Sequence, residues 1–301
     1  MNRISVIDIG TNSVKFSIGS SGAHGLVIEQ EDSEITRLGK GVDSTQTLGV
    51  DSMQRTFDVI RRFTGLSHDA NVDGVVAVGS SALRDASNGH EFVSRVKDEL
   101  GVDVEIISGH REAELAFRAA TTDPALNLTG RVLVFDVGGG STEIITGVGG
   151  EVINSHSLDV GAVRLTERFS MQYPVSMEKL AEARSFVREE IARFPVHESS
   201  SSCVAIGGTA VTISNVINAT REQPVIQHRI AYGILESTAD AIYNNDIDEI
   251  KAIPGMDPGR ADVIGAGLLI ITGLCRAFRV QEFYVSTRGI RFGILAERLL
   301  L

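Results

Sequence analysis

Only two cysteines, Cys203 and Cys275, occur in the 301 residues, with neither the number of a disulfide framework nor the spacing of a metal-ligand set. That excludes a disulfide-stapled secreted scaffold and predicts buried thiols in a reducing, cytoplasmic compartment. Long apolar runs are missing as well: no stretch reaches the roughly 20 residues that a membrane-crossing helix needs. The chain passes from Arg3 straight into a short apolar strand, so no secretory leader is expected. Basic residues are in the minority, 28 Lys and Arg against 39 Asp and Glu, for a net charge of −11. A surface of that sign repels polyanions at long range. It argues against nonspecific nucleic-acid binding and requires any phosphate site to be a local pocket lined by N–H groups or cations. Hydrophobic residues make up 43% of the chain, enough for two cores of ordinary domain size.

What is present is a repeat. Arg3-Ile4-Ser5-Val6-Ile7-Asp8-Ile9-Gly10-Thr11-Asn12-Ser13 and Arg131-Val132-Leu133-Val134-Phe135-Asp136-Val137-Gly138-Gly139-Gly140-Ser141 lie 128 residues apart with Arg, Asp, Gly and Ser in register. Val75–Ala82 and Cys203–Ala210, each an apolar run ending in small residues, keep the same offset. Two matches at one separation predict a duplicated domain, each copy with a strand ending in Asp-x-Gly and a later strand ending in a small-residue turn. The expected layout is two lobes about a cleft. The boundary is placed in the aperiodic stretch from Thr122 to Gly130, giving an N-terminal domain of residues 1–127 and a C-terminal domain of residues 128–301.

The remaining pattern is alternating α/β. Apolar segments at 4–9, 14–18, 75–78, 102–107, 131–137, 143–147, 151–157, 203–206 and 282–286 predict strands, several continuous enough in Val and Ile to be buried on both faces. Met53, Phe57, Ile60 and Phe63 recur at helical steps. So do Phe92, Val96 and Leu100 behind Asn88, a natural N-cap, and Ser176 opens a charged helical run to Phe194. Ser199 to Ser202 reads as a connecting loop, and Gly289 to Leu301 as an amphipathic helix.

The loops point to phosphate. Gly10, Thr11, Asn12 and Ser13 follow Asp8, and Gly138, Gly139, Gly140, Ser141 and Thr142 follow Asp136, so backbone N–H groups stand open to an anion with hydroxyls beside them. Gly79-Ser80-Ser81 and Gly207-Gly208-Thr209 each precede a predicted helix, whose N-terminus favours negative charge. Ordinary hairpin turns are the plain alternative for either glycine loop taken alone. Lys15, Arg37, Lys40, Arg84, Arg111, Arg164, Arg260 and Arg288 are the cations near these positions, and most are expected only to solvate a face.

These blocks, together with Gly79–Asn88 and Glu105-Ile106-Ile107-Ser108-Gly109-His110-Arg111-Glu112-Ala113, resemble the exopolyphosphatase and guanosine pentaphosphate phosphohydrolase (Ppx/GppA) family of the actin and sugar kinase superfold. They follow the family's order across most of the chain. The resemblance implies an α/β fold of two duplicated actin-like (ribonuclease H-like) domains with an interdomain cleft, the C-terminal helix (about 289–301) crossing back to the first. It implies a cytoplasmic phosphoanhydride hydrolase, commonly a homodimer, acting on polyphosphate or guanosine pentaphosphate without nucleic acid or membrane.

By that resemblance Glu112 is the general base that activates water. Read from the residues alone, with Gly109 as N-cap, Glu112 falls at the third helical position, where a glutamate more often caps its helix. Asp8, Asp136 and Glu143 are the candidate ligands for Mg²⁺ or another divalent cation. Hydrogen bonding to the turns is the alternative for the two aspartates, and a solvent-facing hairpin position the alternative for Glu143. Phosphate-binding residues are expected at Gly10, Thr11, Asn12, Ser13, Lys15, Arg84, Gly138, Gly139, Gly140, Ser141, Thr142, Gly207, Gly208, Thr209 and Arg260; ordinary surface ion pairs are the alternative for the two arginines. Three positions depart from the family pattern. Lys15 stands where arginine is common, His110 and Arg111 where acids are common, making the field at Glu112 more positive, and Phe292 where Glu is common. Two other readings stay open: an ATP-dependent small-molecule kinase of the same superfold, and a non-catalytic guanosine tetraphosphate-binding regulator.

Overall fold

The computed structural model describes residues 3–23, 25–194, 200–220 and 229–300. Their contacts separate into two units, Met1–Ala119 with Ile290–Leu301, and Ala120–Gly289.

The first unit is built on five strands, β1 (Arg3–Ile9), β2 (Ser13–Gly22), β3 (Gly25–Ile35), β4 (Gly74–Gly79) and β5 (Val104–Ile106), in the order β3-β2-β1-β4-β5. β1 to β3 form an antiparallel meander, while β4 joins β1 and β5 joins β4 in parallel. In the second unit β6 (Arg131–Val137), β7 (Thr142–Val148), β8 (Glu151–Leu158), β9 (Ser202–Ile206) and β11 (Glu282–Val285) repeat that plan as β8-β7-β6-β9-β11, and β10 (Arg229–Ala231) adds an antiparallel edge to β11.

The repetition reaches the register. Asp8 pairs with Val78 across β1–β4 and Asp136 with Ile206 across β6–β9, both members displaced by the offset seen in the sequence. The β2–β3 ladder slips between Ile18 and Gly19, and the β7–β8 ladder at the equivalent Thr146 and Gly147. A bulge copied in place bends both meanders alike.

All nine strands expected from apolar runs are present. β3 was not expected, because it is an edge strand with mostly exposed residues and the acidic run Glu29, Glu31, Asp32 and Glu34, charge that suits an edge but carries no apolar alternation. On one face of the first sheet α2 (Val50–Asp69) and α4 (Gly89–Leu100) bury Phe57, Ile60, Phe63, Phe92 and Val96 against Ile7 and Phe16, with the Phe16 and Phe63 rings stacked at 4.9 Å. On the other face α5 (Gly109–Thr121) and α12 (Ile290–Leu300) bring Leu115, Ile294 and Leu295 onto Val6 and Val78. The short α1 (Val42–Thr45) and α3 (Ser81–Asp85) complete the unit.

The second unit has its own core. α11 (Ile264–Ala277) is buried along most of its length against α6 (Ala162–Arg168), α7 (Met177–Ala192), α8 (Gly207–Ala219) and α9 (Tyr232–Asn244), and α10 (Ile247–Ala252) adds Ile250 to the same core. Ser176 caps α7 as expected, accepting from the Lys179 N–H at 3.3 Å. Asn88 precedes α4 but does not cap it: its side chain accepts from Leu48 N–H at 2.8 Å and donates to Leu48 C=O at 3.1 Å, tying α4 to the segment before α2. Of the serine loop, Ser199 lies outside the described residues and Ser202 already belongs to β9. Cys203 and Cys275 are both buried, and burial pushes the Cys275 thiol up to about 12. Among the described residues no helix is long and apolar enough to cross a membrane.

Candidate active site

The β1–β2 connection in the first unit is a tight turn closed by Gly10 N–H to Ser13 C=O at 3.0 Å. A Cβ at Gly10 would stand 3.0 Å from that oxygen, so a side chain there would crowd the turn. The carbonyls of Thr11 and Asn12 are occupied, accepting from Gly39 N–H at 2.8 Å and from Thr36 and Arg37 N–H at 3.1 and 2.9 Å. The N–H groups of the same two residues have no acceptor among the described residues. The Asn12 amide nitrogen is likewise buried without a partner. Donors without acceptors in a buried turn are costly unless an anion or water takes them.

The second unit presents the same device. Gly138 N–H closes the β6–β7 turn on Ser141 C=O at 3.0 Å, the carbonyls of Gly138 and Gly139 accept from Ala162, Val163 and Arg164 N–H at the start of α6, and Gly139 and Gly140 N–H have no acceptor. The open pairs, Thr11–Asn12 and Gly139–Gly140, fall at equivalent positions of the two copies. Beyond the turn, the Thr142 hydroxyl donates to Val160 C=O at 2.5 Å.

The two strand-to-helix turns differ. α3, after Gly79-Ser80, has only five residues, too short for much of a dipole. α8 has 13 residues and no capping side chain at its start, leaving its first N–H groups to an outside acceptor. The Arg260 guanidinium packs over Gly208, where any Cβ would collide with it. Its Nε donates to Asp257 at 3.2 Å, and burial pushes the guanidinium below its ordinary value with Asp257 acting against that. A half-positive helix end beside a buried cation favours an anion between them.

Asp8, Asp136 and Glu143 are all buried. Asp136 and Glu143 are cross-strand partners flanking the second turn. Asp136 lies against the start of α8, where a Cβ at Gly207 would stand 2.5 Å from its Oδ1. Glu143 is 1% exposed and accepts from Ser157 Oγ at 2.7 Å, which rules out the solvent-facing reading. In the first unit Asp8 pairs in register with Lys15. Burial pushes the Asp8 carboxyl upward while the charges of Lys15 and Arg291 pull it down. Among the described residues no three His, Cys, Asp or Glu side chains gather as a metal cage. The adjacent Asp136–Glu143 pair instead fits a cation such as Mg²⁺ that takes one or two carboxylates and completes its shell with water and phosphate oxygens.

Glu112 is 6% exposed on α5. Its own N–H donates to Ser108 C=O at 2.9 Å and the Ser108 hydroxyl accepts from Arg111 N–H at 3.2 Å. Ser108 rather than Gly109 is therefore the N-cap, and Glu112 stands one position deeper than the capping reading required. Its carboxylate faces Arg84, whose Nη1 reaches Oε2 at 3.3 Å and Ile107 C=O at 2.8 Å. The charge of Arg111 is absorbed by Glu297 at 2.5 Å and Glu114 at 3.2 Å, which raise the guanidinium above its ordinary value. Arg84 thus reaches Glu112, while Arg111 is turned to Glu114 and Glu297.

A model described as the Ppx/GppA phosphatase family matches residues 17–301. The chain belongs to the Ppx/GppA phosphatase family. It is 33% identical to Exopolyphosphatase 2 of Mycobacterium tuberculosis over 315 aligned residues, covering 98% of each chain. The Aquifex aeolicus Ppx/GppA family member superimposes with a TM-score of 0.83 at 32% identity, covering 99% of this chain and 98% of that one. An exopolyphosphatase from Cytophaga hutchinsonii superimposes with a TM-score of 0.88 at 25% identity over 99% of both. The α/β architecture is the actin-like fold of the Ppx/GppA family, and the protein is a phosphoanhydride hydrolase.

Two supports of these turns escaped the sequence reading. Gly161 starts α6 so close to the second turn that a Cβ would collide with the Gly139–Gly140 backbone, and only its place between Val160 and Ala162 marked it. The segment Thr36–Gly41, which clamps the first turn, carried a signal in its paired glycines Gly39 and Gly41, as turn residues usually do.

Proposed function

We propose that the protein is an exopolyphosphatase, releasing the terminal phosphoryl group of inorganic polyphosphate as inorganic phosphate. The observation that carries this reading is the buried Glu112 carboxylate at the start of α5, held by Arg84 in a unit whose phosphate turn keeps two N–H groups open. Water is the nucleophile. As its oxygen bonds to the terminal phosphorus, Glu112 takes its proton, and the bond from that phosphorus to the bridging oxygen breaks to leave a chain one unit shorter. In the first unit the open Thr11–Asn12 N–H pair hydrogen-bonds phosphoryl oxygens, and Arg84 both orients Glu112 and offers a planar donor to phosphate; in the second the open Gly139–Gly140 pair and the α8 start with Arg260 are donors of the same kind. Asp136 and Glu143, neighbours across β6 and β7, would hold a divalent cation, which would supply charge neutralisation when bound. Guanosine pentaphosphate presents the same bond, but the full-length likeness to an exopolyphosphatase favours the polymer.

Glu112→Gln keeps the shape of the side chain and removes its basicity. Turnover on polyphosphate should fall about a hundred- to ten-thousandfold, with thermal denaturation close to that of the unmodified protein. Phosphate release by Glu112→Gln at the original rate would take the base assignment away.

A further inference from the structure

The segment after β3 gathers positive charge that the reaction itself does not use. Thr36, Arg37 and Gly39 are stapled to the first phosphate turn through the carbonyls of Thr11 and Asn12. Leu38 is fully buried beneath the segment. Gly39 is wedged so that a Cβ would collide with the Thr11 methyl and stand 3.2 Å from the Ala82 Cβ of α3, so the segment touches both small-residue turns of the first unit. Arg37 is held at a φ of 54°, a left-handed conformation that a bulky residue adopts only under constraint. From α2, Arg55 reaches across, its Nε donating to Thr36 C=O at 3.3 Å.

Most cations of this unit are matched to carboxylates: Arg3 to Glu29, Arg62 to Asp32 and Glu34, Arg84 to Glu112, Arg95 to Glu99, Lys97 to Asp103 and Arg291 to Glu31. Lys40 is exposed and has no ion pair among the described residues. It sits one residue from Gly39, and its four-carbon stem gives the ammonium a reach of several ångströms. In a chain of charge −11, an exposed lysine without an ion pair next to a phosphate turn stands against the prevailing sign. In the turn that the segment clamps, the Asn12 amide nitrogen is buried without an acceptor.

We infer that Arg37, Lys40 and Arg55 form a subsite for the body of a linear polyphosphate, holding phosphate units beyond those gripped by the turn at Gly10–Ser13. The inference rests on the polyphosphate reading above and deepens it by assigning chain-length preference to the Thr36–Gly41 segment. A flexible row of anionic oxygens matches the exposed side chains of Lys40 and Arg55, with the half-buried Arg37 beside the turn, and their charge counters the repulsion that the rest of the surface exerts on a polyanion.

The test compares KM for long-chain polyphosphate with KM for tripolyphosphate in the unmodified protein, Lys40→Glu, Arg55→Gln and a charge-matched control, Arg298→Glu, on the exposed side of α12. Lys40→Glu should raise the polymer KM about five- to tenfold, the size expected when an exposed charge contact is lost and replaced by repulsion, with a rise at least twofold smaller for tripolyphosphate. Arg55→Gln should shift the same ratio in the same direction, and Arg298→Glu should not. Equal shifts for both substrates, or a Lys40→Glu result no different from Arg298→Glu, overturn the subsite while leaving the hydrolase reading intact. An unmodified protein that releases no phosphate from either polyphosphate overturns the substrate reading and the subsite with it.

Discussion

Asp8 carries a cost in the folded protein. Burial raises its carboxyl above the ordinary value of 3.8, with Lys15 and Arg291 only partly offsetting the effect. A carboxyl raised on folding contributes stability that is present below its unfolded pKa and lost as pH rises through the folded one. At neutral pH the ionised group therefore destabilises the fold, the usual bargain at a functional site. Asp8→Asn is predicted to raise the melting temperature at neutral pH while lowering turnover, the gain shrinking as pH falls toward the ordinary carboxylate range. A melting temperature that drops at neutral pH would show that the charge is fully compensated. Glu112 shows what one residue's sequence context could and could not tell. Its place early in a helix was legible from Ser108-Gly109, and that position alone favoured a capping role. The nearby Arg84 lies 28 residues away in sequence, a proximity that only the crossing of β4 and β5 into neighbouring places creates.

At the scale of elements, the strands were legible wherever both faces are buried, because Val and Ile then run without interruption, as in β1, β4, β6 and β9. β3 and β10 were not, since edge strands satisfy their chemistry with charge and short length. The two glycine turns were also legible, and the sequence offset located their equivalent open N–H pairs. Their clamps were not, because nothing local marks which distant backbone will take a turn's carbonyls. Gly161→Ala tests the second clamp. Its Cβ would collide with the Gly139–Gly140 backbone, a contact with no flexible side chain to give way, so about 1–3 kcal/mol of stability should be lost. A higher KM should accompany the lower melting temperature. An alanine variant with unchanged melting temperature and KM would mean that α6 does not fix the turn.

At the scale of the whole molecule, duplication governs the design: strand order, register, bulge and phosphate turn all recur in the two units. Divergence is confined to what each copy does with the frame. The position paired with the strand-end aspartate is Lys15 in one and Glu143 in the other, and the following strand leads into a single helical turn in one and the long α8 in the other. The first copy carries the buried Glu112 and the second the adjacent Asp136–Glu143 pair. A kinase of the same superfold would share the frame but need an acceptor hydroxyl, whereas a hydrolase needs only water. The most direct measurement is inorganic phosphate released from long-chain polyphosphate by the intact chain, with Mg²⁺ and no acceptor present. Sustained release, one phosphate at a time from the chain ends, is predicted; no release, or release that begins only when a hydroxyl acceptor and ATP are supplied, would contradict it.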